Sequence, residues 1–113
     1  MIRKLIVAGA LVAAMTAPAL ADPIEGTWLR PSTGALVAFS KCGSSYCAKA
    51  VSGEFAGRSV GKLMKKGASY TGTLNDLAED KIYSGRAKVT GNSMKLEGCV
   101  LMVLCKGENW QRQ

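Results

Sequence analysis

The sequence has 113 residues, with four cysteines, no histidine and a formal net charge of +7. This length suits one domain. The absence of histidine excludes the Ser-His and Cys-His arrangements of nucleophilic enzymes. The basic residues are scattered along the chain, and Lys65 and Lys66 are their only adjacent pair beyond the N-terminus. Such scatter is typical of a solvated surface, so we expect no nucleic-acid partner.

The N-terminus has the pattern of a cleaved secretory signal peptide over residues 1–21. Two basic residues precede an apolar run over residues 5–15, and small residues follow up to Ala21. The apolar run is too short to span a bilayer, which takes about 20 residues. We therefore expect an exported chain, periplasmic or extracellular and not membrane-spanning, with a single domain over residues 22–113.

The remaining chain consists of short β-prone runs punctuated by glycines and polar turns. The predicted strands, in chain order, are Glu25–Arg30, Ala35–Ser40, Tyr46–Val51, Val60–Lys65, Ser69–Leu74, Ile82–Thr90, Ser93–Glu97 and Lys106–Arg112. Alternation supports single assignments, since Tyr70, Gly72 and Leu74 fall on one strand face. Short strands at this spacing indicate an all-β sandwich or barrel.

One predicted loop carries a large apolar side chain. Three glycines in the stretch from Gly53 to Gly61 argue against a helix, so we predict a loop that presents Phe55 next to Arg58. Large apolar residues are usually buried, which favours Phe55 as a plug of the core. The alternative is that Phe55 contacts a ligand or partner.

The polar stretch from Asn75 to Asp80 predicts a connection, with one helical turn capped by Asn75 or Asp76. Its carboxylates could in principle form an acid/base pair or a weak calcium site. An acid/base pair needs one carboxyl group whose pKa is raised by burial, and a solvated turn does not provide that. The spacing also matches no EF-hand loop. We therefore expect no catalytic residues and no metal here, and no enzyme.

Four cysteines in a short exported chain predict two structural disulfides, which support a domain too small to be stable through its core alone. Residues 43–45 are turn formers, which favours pairing of Cys42 with Cys47 and leaves Cys99 to pair with Cys105. Crossed pairing closes longer loops and remains the alternative. The cysteine spacings fit zinc binding and thiol redox chemistry poorly, so we expect no cofactor.

Several of these stretches, taken in order, resemble a family of small exported bacterial proteins of unknown function, DUF2147. They are GTW at 26–28, CGSSYC at 42–47, YSG at 83–85, LEGCVLMVLC at 96–105 and WQR at 110–112. The resemblance implies a small antiparallel up-and-down barrel similar to lipocalins, with about eight short strands and no established activity.

The same resemblance implies how the barrel closes. The Gly26-x-Trp28 start is similar to the lipocalin signature, so Trp28 would fill the barrel base and Arg112 would cover its ring in a cation-π contact. The alternative is that Trp28 stacks on a ligand. Residues 99–105 would form a bridged turn before the last strand, with Leu101 or Met102 on the barrel rim. An apolar patch there would mark an interaction site, unless the loop folds over the barrel mouth as its plug.

These expectations lead to two hypotheses for function. The first is a monomeric, non-enzymatic periplasmic module that binds a small apolar or anionic envelope ligand, or one with an acyl tail, inside the barrel. The second is a protein-interaction or inhibitor module that contacts an envelope protein through the Cys99–Cys105 loop or the Phe55 loop. A polar-rimmed cavity would favour the first, and a filled interior with an apolar rim would favour the second. A buried carboxylate would point to catalysis.

Overall fold

A computed structural model of the chain describes residues 22–101 and 103–113, so the predicted signal peptide and Met102 lie outside the described residues. Antiparallel strands follow one another around a closed barrel, and the last strand pairs with the first. The strands are β1 Gly26–Arg30, β2 Ala35–Cys42, β3 Ser45–Ala50, β4 Ser59–Lys66, β5 Ser69–Asp76, β6 Lys81–Thr90, β7 Ser93–Val100 and β8 Leu104–Arg112. The predicted all-β up-and-down barrel is confirmed.

The polar connection between β5 and β6 differs in detail from the expectation. Asp76 is the last residue of β5, and residues 77–80 form a turn and not a helical turn. The Asp76 carboxylate accepts a hydrogen bond from the backbone N–H of Glu79 at 3.1 Å. Asp76 therefore caps this turn in the way that such residues cap helices.

The strand order defines two ends of the barrel, which we call the base and the rim. The base carries residues 22–25, the β2–β3, β4–β5 and β6–β7 turns, and the end of β8. The rim carries the β1–β2, β3–β4, β5–β6 and β7–β8 connections. The predicted functional residues divide between these two ends.

Large side chains fill the interior, and aromatic rings pack edge to face within it. Phe39 lies against Trp110 with ring centroids 6.5 Å apart, and Tyr46 lies against Tyr70 at 5.8 Å. The buried cluster comprises Ile24, Trp28, Val37, Phe39, Tyr46, Ala48, Leu63, Tyr70, Ala87, Met94, Leu96 and Trp110. Such a cluster leaves little interior volume in a barrel of this size.

Nearer the rim, Leu74 fills the interior against glycines of neighbouring strands. A Cβ at Gly85 would lie 2.5 Å from Leu74 Cγ, and one at Gly61 would lie 3.0 Å from Leu74 Cδ2. A Cβ at Gly98 would lie at an ordinary 3.7 Å from Leu74 Cδ1. Gly85 and Gly61 thus provide the space that Leu74 occupies, as expected where a strand glycine allows close approach.

Both disulfides are local and staple hairpins at opposite ends of the barrel. Cys42 bonds to Cys47 across the β2–β3 turn, with Cα atoms 5.9 Å apart. Cys99 bonds to Cys105 across the β7–β8 turn, with Cα atoms 4.0 Å apart. The predicted pair of disulfides is confirmed, and the crossed pairing is excluded.

Candidate functional site

The base is closed around Trp28. Its side chain is fully buried, and its indole N–H donates to the carbonyl of Ile24 at 2.9 Å. The guanidinium carbon of Arg112 lies 4.4 Å from the centre of the Trp28 ring. A Cβ at Gly26, whose φ is +127°, would lie 3.4 Å from Arg112 Nη1. Because Trp28 is enclosed on all sides, it is not accessible for stacking on a ligand.

The remaining predicted contact residues lie at the rim on two separate connections, Phe55 between β3 and β4 and Leu101 between β7 and β8, and Met102 lies outside the described residues. Phe55 is half-buried in the β3–β4 loop, below the guanidinium of Arg58 at 5.8 Å from the ring centre. The expectation that Phe55 plugs the core is wrong, because the ring is not part of the buried cluster. The loop turns at Gly57, whose N–H donates to Ala50 O at 2.7 Å. This turn keeps the ring at the barrel surface.

The β7–β8 hairpin projects aliphatic side chains into solvent. We call Val100, Leu101, Val103 and Leu104 the apolar tip. Leu101 is 81% exposed, Val103 is 74% exposed and Leu104 is 69% exposed. The alternative that this loop plugs the barrel mouth is therefore wrong. The Cys99–Cys105 bond fixes the two strands immediately below the apolar tip, which limits its collapse onto the barrel.

Beside the apolar tip, β8 has an edge that faces no other strand of the described chain. β8 pairs with β7 along its length but with β1 only through Trp28–Arg112 and Leu29–Gln111. The short Cα separation of Cys99 and Cys105 is typical of a non-hydrogen-bonded pair. The backbone groups of Cys105, and of Gly107 two residues later, therefore point away from β7.

An ion pair bridges β1 and β8 where these strands separate. Arg30 Nε and Nη2 donate to the two carboxylate oxygens of Glu108 at 2.8 and 2.7 Å. The Trp110 indole N–H also donates to Glu108, at 3.1 Å. The Arg30 hydrogen bonds lower the pKa of Glu108 although partial burial opposes this, and the same contact raises the pKa of Arg30. The ion pair therefore links β1 to β8 beside their short strand pairing, which we call the seam of the barrel.

Charges at the rim nearly balance. Basic residues on the rim connections and adjoining strand ends are Arg30, Lys49, Arg58, Lys81 and Lys106, and acidic ones are Glu54, Asp76, Glu79 and Asp80. The overall positive charge of the chain is therefore not concentrated near the apolar tip.

The acidic turn lines an open cleft of about 340 Å³ between β4, β5 and β6, where Asp76 and Asp80 lie with Arg58 and Lys81. No three carboxylates or cysteines of the described residues come together as metal ligands would. A more enclosed carboxylate, that of Asp22, is at the base, where Lys65 and Tyr70 bind it. Of the carboxylates predicted for the turn, Glu79 and Asp80 are thus exposed and Asp76 is partly buried.

The sequence does not predict the open edge of β8 or the close contacts between Leu74 and the strand glycines. The edge arises because β1 ends at Arg30 while β8 continues for several residues past its last β1 partner. The sequence predicts the first and last strands of the barrel but not how their residues pair. The length over which β1 and β8 pair depends on that register.

Comparison with known proteins gives a family and no individual relative. A family described as an uncharacterized protein conserved in bacteria, DUF2147, matches residues 55–112, slightly more than half of the chain. No curated protein and no solved structure matches the chain. Among the described residues there is also no helix long and apolar enough to cross a membrane. The matched region contains the apolar tip and the edge of β8, and the chain belongs to the DUF2147 family.

Proposed function

We propose that this DUF2147 protein is a non-enzymatic, exported protein-interaction module, and that it binds its partner through the apolar tip. The observation that carries the proposal is the group of exposed aliphatic side chains, up to 81% exposed, on a disulfide-stapled hairpin. Contiguous exposed apolar surface of this kind marks interaction sites.

The filled interior favours this function over ligand binding inside the barrel. Trp28, Phe39, Tyr46 and Trp110 occupy the lower interior, and Leu74 packs among glycines above them. Two clefts of the described residues, of about 340 and 170 Å³, are open to solvent, and the one of 340 Å³ lies at the rim. A small apolar ligand or an acyl tail would have to displace these side chains, which would cost several kcal/mol in a closely packed core.

The partner that fits best presents an extended, largely apolar segment. Such a segment could add as a strand to the open edge of β8, where the backbone groups of Cys105 and Gly107 point outward. Gly107 has no side chain to obstruct the approach of another backbone. Side chains of the added strand would then lie beside the apolar tip and become buried with Leu104.

Site-specific photo-crosslinking in the periplasm tests the proposal. A photoreactive residue at Val103, which is 74% exposed, should give one discrete protein adduct, and the same residue at the exposed base position Lys66 should not. Leu104→Lys should lower the adduct yield at Val103 roughly tenfold, because burial of one leucine is worth about 1.5–3 kcal/mol. Leu104→Met is the matched control and should retain the adduct.

Two results would contradict the proposal. One is a yield of protein adduct at Val103 that is no higher than the yield at Lys66. The other is a native mass spectrum of the periplasmic protein in which a bound small molecule accounts for the whole population. The second result would restore binding of a small or acyl-bearing ligand as the function, because a ligand held that tightly requires an interior site.

A further inference from the structure

Residues 22–25, which we call the base segment, close the barrel below Trp28. Each of these residues is held by hydrogen bonds or by burial of its side chain. The side chain of Ile24 is fully buried, and its carbonyl accepts the Trp28 indole N–H. Arg112 donates to the carbonyl of Pro23 at 2.6 Å and to that of Glu25 at 3.0 Å. The segment is therefore part of the fold and not a loose leader.

The side chain of Asp22 fixes the beginning of the base segment. Its carboxylate is only 12% exposed and accepts hydrogen bonds from Lys65 Nζ at 3.0 Å and from the Tyr70 hydroxyl. Burial raises the pKa of the neighbouring Tyr46, and the nearby negative charge of Asp22 raises it further. Side chains from β4 and β5 thus hold Asp22 in place.

The backbone nitrogen of Asp22 is directed at a carboxylate. It donates to Glu25 Oε2 at 3.0 Å. Among the described residues, no lysine or arginine side chain forms an ion pair with Glu25. Lys65 binds the Asp22 carboxylate instead. The Arg112 guanidinium donates hydrogen bonds to backbone carbonyls and packs over the Trp28 ring. Among the described residues, the Glu25 carboxylate therefore accepts a hydrogen bond from the Asp22 backbone nitrogen and has no side-chain cation as an ion-pair partner.

We propose that Asp22 is the first residue of the functional chain and that Glu25 binds its α-ammonium group. As the nitrogen of an internal peptide bond, Asp22 N is a neutral donor with one hydrogen. As a free terminus near neutral pH, it carries three hydrogens and a positive charge, which makes a stronger, charge-assisted hydrogen bond. The position of Asp22 directly after the predicted signal peptide agrees with this reading.

The step that creates this group is hydrolysis of the Ala21–Asp22 peptide bond by a signal peptidase. Water supplies a hydroxyl to the Ala21 carbonyl carbon and a proton to the Asp22 nitrogen, which takes up a further proton from solvent. The leaving peptide ends in a carboxylate, and the remaining chain begins with an ammonium group. Removal of the leader thereby adds an ion pair to the base of the barrel, and it couples processing to stability.

A double-mutant cycle tests the proposal with chains of defined start. One chain begins at Asp22 and a second retains Ala21, which keeps Asp22 N as a neutral amide. Both contain every residue of the barrel and both disulfides. We expect the chain that begins at Asp22 to have an equilibrium constant for urea unfolding roughly fivefold smaller, since a partly exposed ion pair contributes about 1 kcal/mol. With Glu25→Gln in both chains, this difference should disappear.

The outcomes separate the proposal from a general effect of chain length. Equal unfolding of the two chains with Glu25 present would overturn it, and so would a difference that persists in the Glu25→Gln background. The exported full-length protein supplies a second measurement. Its intact mass should correspond to residues 22–113 with both disulfides formed, and a mature chain that begins at any other residue would also overturn the proposal.

Discussion

The packing of Leu74 among strand glycines predicts that a change of glycine to alanine destabilises the barrel at one of two paired positions and is tolerated at the other. Gly85 and Gly98 lie opposite each other in β6 and β7. A Cβ at Gly85 would be 2.5 Å from Leu74 Cγ, about 1 Å too close for an ordinary contact, whereas one at Gly98 would meet its nearest atoms at 3.7 Å. Gly85→Ala should therefore destabilise the barrel, and Gly98→Ala is the matched control.

The expected magnitude follows from these contacts. Overpacking of a core by one methyl group costs about 1–3 kcal/mol, and the lower flexibility of the unfolded chain returns about 0.4–1 kcal/mol. We expect a net loss of about 2 kcal/mol for Gly85→Ala. For Gly98→Ala only the lower flexibility of the unfolded chain contributes, so the free energy of unfolding of this variant should be unchanged or slightly higher.

A second substitution identifies Leu74 as the cause. Leu74→Ala alone should cost about 2–5 kcal/mol, because it empties the space between the glycines. Gly85→Ala combined with Leu74→Ala should cost less than the sum of the single changes by about 2 kcal/mol. Urea unfolding of the four proteins, followed by tryptophan fluorescence, measures the coupling. Additive costs, or an equal loss for Gly98→Ala, would refute the assignment of the strain to Leu74.

Three further predictions concern the base, the rim and the seam. Trp28→Ala should lower the free energy of unfolding by about 3–5 kcal/mol, and an unchanged melting temperature would exclude Trp28 as the closing residue of the base. Replacement of both Cys99 and Cys105 by serine should cost roughly 2 kcal/mol, and coincident denaturation curves for this variant and the oxidised parent would contradict a structural role of the bond. The lowered pKa of Glu108 stabilises the folded state above the ordinary glutamate pKa of about 4.3, and this contribution is lost as the pH falls through the lower folded value. Glu108→Gln should therefore flatten the acid limb of a stability–pH curve, and an unaltered limb would show that Glu108 has the same pKa folded and unfolded.

Local signals in the sequence were sufficient for the strand order and the disulfides. All the predicted strands are present, with ends that differ by three residues at most. The turn formers between Cys42 and Cys47 identified a hairpin, and a hairpin brings its own cysteines together. The GxW start and the Arg112 contact came from the family resemblance, and the structure places the Arg112 guanidinium over the Trp28 ring.

The features that the sequence did not predict depend on contacts between distant residues. β7 was expected to end at Glu97, before Gly98, because glycine is a turn signal. The structure continues this strand through Gly98 to Val100, because Gly98 pairs with Gly85 in β6 and with Lys106 in β8. The size of Phe55 predicts a place in the core, but its ring is only partly buried and lies outside the buried cluster, with Arg58 over it. Size and hydropathy do not determine on which side of a loop a ring lies.

The short seam between β1 and β8 has a consequence for the order in which the barrel folds. Every other strand pair joins neighbours in the chain through a brief connection, whereas the seam joins the two ends of the barrel sequence. Closure of a long loop carries the larger entropic cost, so hairpins form readily and the seam forms late. Interactions made after the transition state govern unfolding rates. The Arg30–Glu108 pair should accordingly act as a kinetic latch that slows opening of the barrel and has little influence on how fast it folds.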